Sequence, residues 1–208
     1  MGFVHDERQG IVETMQRAGP DAPTLCAGWT VRDLAAHLVL RERRPDAAPG
    51  ILVPPLAGYT AQVQKRLADA GLGELAEAIL LGPPRYSPLY WFDEKANLVE
   101  YFVHHEDVRR AQPGWEPRVI PQRVRRALWK SAGMLGRRAY SSAPGPVVLA
   151  APDGTNVRVT GGDGPAVTLR GEPEELLLHA FGRGAVRIQA DGPADAARAV
   201  RDMTRTIP

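Results

Sequence analysis

A single cysteine in 208 residues, Cys26, leaves no partner for a disulfide within the chain and excludes zinc or iron–sulfur sites built from several thiolates of one chain. The expectation is therefore that any metal it holds relies on imidazole and carboxylate ligands. Lysine is almost as scarce, since nearly all of the 26 basic residues are arginine. Against 24 acidic groups they leave a formal charge of only +2, too small a field to draw in nucleic acid despite a sequence pI near 8.9. Long apolar runs are also missing: nothing approaches the roughly 18 residues of a membrane span, and the opening MGFVHDERQGIVETM carries charge throughout. The expectation is a cytoplasmic protein with neither a membrane nor a nucleic-acid partner.

The chain has enough apolar residues, 44%, to fill a core, and 208 residues make one large domain or two small ones. Composition changes near residue 143. Before it, apolar residues recur at helical spacing over 3–18, from Thr30 to about residue 43, over 56–81 with a break near Gly71 and Gly73, over 93–110 and over 121–138. Thr30 and Asp33 form a capping-box pair, and Gly19-Pro20 and Pro113-Gly114 act as stops. Beyond 143, short β-branched runs at 147–149, 157–160, 166–169 and 186–189 alternate with turns, and 172–181 and 193–204 read as helices. The predicted domains are a helical bundle over 1–142 and a small α+β domain over 143–208. No internal repeat is visible.

The chemistry concentrates in Asn97-Leu98-Val99-Glu100-Tyr101-Phe102-Val103-His104-His105-Glu106-Asp107. On a helix, Glu100 and His104 are one turn apart on one face, and Asn97 and Asp107 extend that face in each direction. His37 stands alone as a polar side chain in Ala35-Ala36-His37-Leu38-Val39-Leu40. By itself it reads as a core histidine bonded to a backbone carbonyl, and an isolated i, i+4 pair is common on helix surfaces. Jointly, two histidines and a glutamate from two helices fill three positions around a divalent ion and leave the rest open, a catalytic rather than a structural pattern.

The segment Cys26-Ala27-Gly28-Trp29-Thr30-Val31-Arg32-Asp33-Leu34-Ala35-Ala36-His37-Leu38 resembles the C-x-G-W-[ST]-V-x-D-[LV]-x-A-H-[LV] pattern of the mycothiol-dependent maleylpyruvate isomerase N-terminal family. Glu100-x-x-x-His104-x-x-Asp107 resembles that family's second motif, and Leu169 to Arg183 is similar to a stretch of its C-terminal domain. The pattern is also similar to an actinobacterial branch described simply as metal-binding proteins. The resemblance implies a DinB-like four-helix bundle followed by a sterol-carrier-like α+β domain. It also implies a divalent metal, usually zinc, on His37, Glu100 and His104. It further implies thiol-dependent transfer or isomerisation with mycothiol or a similar thiol, acting on a small electrophilic substrate. Arg183 is the candidate catalytic cation toward an anionic substrate held between the domains. The loop from Pro45 to Pro55 and the doubled His104-His105 depart from the isomerase pattern. The competing expectation is a non-enzymatic carrier of metal or lipid.

The remaining candidates have simpler readings. His105 lies 100° around the helix from His104 and is expected off the metal, whereas Asp107 can accept the second N–H of His104. Trp29 reads as a hydrophobic staple before the second helix. Cys26 reads as structural: no histidine adjoins it, and it precedes His37 by about three helical turns, so the reactive thiol is expected from solution. Arg118, Arg123, Arg125, Arg126, Lys130, Arg137 and Arg138 give the fifth helix a basic face, read as solvated or interdomain.

Overall fold

A computed structural model describes residues 2–205. Helices occupy α1 (Phe3–Ala18), α2 (Val31–Arg43), α3 (Ala57–Ala68), α4 (Leu72–Leu81), α5 (Asp93–Arg109), α6 (Gln122–Ala139), α7 (Pro173–Ala180) and α8 (Ala194–Asp202). Strands are β1 (Val147–Ala150), β2 (Asn156–Arg158), β3 (Val167–Arg170) and β4 (Gln189–Asp191). Short 3₁₀ turns at Ala48–Ile51, Pro54–Leu56 and Pro88–Phe92 punctuate the segments read as loops. None of the described helices is long and apolar enough to cross a membrane. The chain divides into two compact units at Pro117/Arg118.

In the first unit α1 packs on α4 and α5, and α2 packs on α3 and α4. Val4, Ile11, Val12 and Met15 of α1 are buried with Leu34, Leu38, Leu75, Ile79, Tyr101 and Val108. Each fully buried aliphatic side chain of this size contributes roughly 1.5–3 kcal/mol, so this core holds the bundle together. The start of α2 is fixed by the predicted capping box: the Asp33 N–H donates to Thr30 Oγ1 at 3.3 Å and the Thr30 N–H donates to Asp33 Oδ2 at 2.9 Å. At Gly10 on α1, a Cβ would lie 2.8 Å from Cε1 of His105 on α5. The absence of a side chain at Gly10 leaves room for the His105 ring against α1.

A buried ionic network crosses the bundle. The Arg8 guanidinium on α1 donates two hydrogen bonds to the Glu42 carboxylate on α2, at 2.6 and 2.7 Å, and a third to Asp93 at 2.6 Å. It also lies 4.3 Å from the Tyr101 ring centroid. Asn97 of α5, fully buried, donates to Glu42 Oε1 at 3.0 Å and accepts from Arg41. Arg8 of α1 and Glu42 of α2 thus face inward as a hydrogen-bonded ion pair.

The second unit corrects the predicted boundary near residue 143. Helix α6, assigned from sequence to the bundle, belongs with the C-terminal residues and packs on α7. A Cβ on its Gly133 would touch Val157, and one on Gly136 would sit 3.0 Å from Val159, so its small-residue stripe seats it against the sheet. The sheet order is β2-β1-β3-β4, with β1 and β3 parallel and the outer pairs antiparallel. The fourth strand, expected at 186–189, pairs instead at 189–191. Helices with a small four-stranded sheet bear out the α plus α+β class.

Candidate metal centre

Three side chains from two helices converge. His37 faces α5 from the middle of α2, and its Nε2 lies 3.2 Å from Glu100 Oε1. His104, one turn after Glu100, places Nε2 3.2 Å from the same oxygen. One donor atom from each of the three residues falls within 4.8 Å of the others. The helical spacing of Glu100 and His104 and the packed face of α2 therefore bring the three predicted ligands together. The His37 imidazole bonds to this carboxylate, in place of the backbone carbonyl of the simpler reading.

The electrostatics follow from burial and hydrogen bonding. Burial, reinforced by the nearby His104 charge, lowers the His37 pKa and favours the neutral imidazole with a lone pair to give. Burial alone would raise Glu100, but hydrogen bonds from His104 and His37 and the Arg41 charge carry it well below the usual carboxylate range. Burial likewise opposes a charge on His104. Hydrogen bonds to Asp107, Cys26 and Glu100 outweigh that cost and hold its pKa well above the usual histidine value.

Around these three stand groups that orient them. His104 Nδ1 is 3.0 Å from Oδ2 of the fully buried Asp107, which directs Nε2 toward Glu100. Asp107→Asn is expected to weaken divalent-metal affinity by roughly 10- to 100-fold, read by competition with a chromophoric chelator. An unchanged affinity would remove Asp107 from this role. Arg41, one turn beyond His37 on α2, brings Nε to 3.4 Å from Glu100 Oε1. Sequence reasoning passed over Arg41, although its i+4 spacing from His37 was a visible signal.

Trp29 packs against the core as a staple would, and its ring centroid also lies 5.0 Å from that of His37. His105 turns away to Glu7, with Nδ1 2.8 Å from the carboxylate and Nε2 3.1 Å from Thr14 Oγ1. Arg183 belongs to the second unit, where it donates to the Phe181 carbonyl at 2.7 Å.

Cys26 requires a correction. Its Sγ donates to Asp107 Oδ2 at 3.1 Å and lies 3.9 Å from His104 Nδ1. The sequence reading, that no histidine adjoins Cys26, is overturned by His104. The connection before α2 instead folds back, because the Leu25 N–H bonds the Asp107 carbonyl at 3.0 Å. The turn closes with the Trp29 N–H on the Cys26 carbonyl at 2.9 Å, and Gly28 takes the left-handed φ of 79° that it needs.

Residues 4–50 match the mycothiol maleylpyruvate isomerase N-terminal domain. This segment, less than a quarter of the chain, is similar to that domain. The mycothiol maleylpyruvate isomerase match spans α1, the Cys26 turn and α2 with His37; it ends before Glu100 and His104. Neither a curated protein nor a solved structure matches the chain.

Proposed function

We propose that this chain is a divalent-metal protein that uses a small external thiol, of the mycothiol type, to transfer or isomerise an electrophilic substrate. The observation that carries this reading is the convergence of His37 Nε2, Glu100 Oε1 and His104 Nε2. Two imidazoles and one carboxylate suit zinc and related ions, and three protein donors leave room for an exogenous ligand. The family match over residues 4–50 supports the thiol part of the reading. When bound, the ion would make a coordinated thiol acidic enough to be a thiolate near neutral pH.

The chain's own groups have separate tasks. His37 offers a neutral nitrogen, Glu100 an ionised oxygen, and Asp107 fixes the ring of His104. His104 must give up a proton before its Nε2 can serve as a ligand, and its raised pKa makes affinity rise with pH until that ring is neutral.

The test uses the Cys26→Ala protein, so that no thiol of the chain contributes. It is expected to retain one cobalt ion per chain after dialysis, and a small thiol should then produce a sulfur-to-metal charge-transfer band. Adding His37→Ala and His104→Ala should abolish retention. Full retention in that variant would overturn the ligand assignment. A spectrum that responds to imidazole but to no thiol would overturn the thiol chemistry and favour a carrier.

A further inference from the structure

His104 presents both of its ring nitrogens to possible ligand groups. Nε2 faces Glu100 and His37, while Nδ1 faces Asp107 Oδ2 at 3.0 Å and Cys26 Sγ at 3.9 Å, with the sulfur 3.1 Å from that carboxylate oxygen. We propose that Cys26, His104 Nδ1 and Asp107 form a second metal site, selective for thiophilic divalent ions, that shares the His104 ring with the first. The proposal goes beyond the function argued above and survives if the thiol chemistry there fails.

The separations fit an ion. Tetrahedral coordination at bond lengths of about 2.0–2.3 Å puts donor atoms roughly 3.3–3.8 Å apart, and the three observed distances lie within a few tenths of an ångström of that range. The donors are also held in place. Asp107 is fully buried on α5, the Leu25–Asp107 backbone bond ties the cysteine turn to the same helix, and Thr24 Oγ1 accepts from the Cys26 N–H at 3.2 Å. A thiolate in the set selects cadmium, zinc and similar ions over magnesium or calcium. Because the ring uses opposite nitrogens, both sets can fill without its turning. With the first ion on Nε2, seating the second releases the Cys26 S–H proton and the remaining His104 ring N–H proton to solvent. The sulfur is left as a thiolate and the ring as a bridge.

The experiment titrates reduced, metal-free protein with cadmium alone, following bound metal and thiolate-to-cadmium absorption in the ultraviolet. Wild type is expected to bind two ions per chain and show the band. Cys26→Ser, which keeps a hydroxyl to bond Asp107, should bind one ion without the band, with its fold checked by circular dichroism. His37→Ala/Glu100→Gln should bind one ion and keep the band. Absence of the band in wild type, or equal stoichiometry in wild type and Cys26→Ser, would overturn the second site while leaving the first untouched. A band retained in His37→Ala/Glu100→Gln with wild-type stoichiometry would uphold the second site and overturn the first ligand set.

Discussion

Arg8→Met is expected to destabilise the first unit by about 3–5 kcal/mol, the cost of leaving a buried charge without its partner. The buried Arg8 carries the bidentate bond to Glu42, which is 1% exposed. Burial pushes the Glu42 carboxyl upward and the Arg8 hydrogen bonds oppose that shift, so removing the guanidinium leaves the Asn97 amide and the Tyr101 hydroxyl to offset the burial of a charge. Methionine keeps most of the stem's packing, which confines the loss to the charge. Urea unfolding, with amide exchange reporting on each unit separately, measures the effect. Adding Glu42→Gln should recover part of the loss, because the uncompensated charge is then gone. A cost below about 1 kcal/mol for Arg8→Met alone would show that Glu42 does not depend on it.

The second large effect is a loss of stability in acid, centred on His179 in the second unit. Its Nδ1 lies 2.6 Å from the Tyr140 hydroxyl and its Nε2 3.3 Å from the Arg201 carbonyl, the pattern of a neutral ring accepting from the tyrosine and donating to the backbone. Burial, helped by the nearby Arg205 charge, lowers its pKa to about 4, against 6.5 in an unfolded chain. The unfolded state therefore binds the proton first. Stability is complete above pH 6.5, falls as pH drops toward 4 and levels off below that. A shift of this size corresponds to about 3 kcal/mol. His179→Gln should flatten the stability profile of the second unit over this window. A variant as acid-sensitive as wild type would place the titration elsewhere.

The residues that made the helices legible in the sequence are local ones. Thr30 and Asp33 cap α2, Gly19 ends α1 and Gly71 separates α3 from α4, and each acts within one turn of its own position. The Glu100–His104 pair was legible for the same reason. What the sequence concealed depends on the chain returning upon itself. Cys26 reaches His104 through a backbone bond 82 positions away from Leu25, which no helical count registers. Helix α6 was misassigned because its periodicity reveals an apolar stripe but not whether helices or a sheet will cover it. The Arg8–Glu42–Asp93 network joins charges from three separated segments, each of which reads alone as an ordinary solvated residue.

The glycine at position 10 has a consequence for how the bundle opens. Glycine within a helix costs about 1 kcal/mol relative to alanine, and α1 begins without a side-chain cap, so this helix has little stability of its own. What it has comes from docking, where Glu7 meets His105 and Arg8 meets Glu42 on neighbouring turns. Detaching α1 would strand both partners in the interior at once. Partial fraying of this segment beyond its first turn is therefore disfavoured, and α1 should exchange its amide hydrogens together with α5, in the most slowly opening cooperative part of the unit.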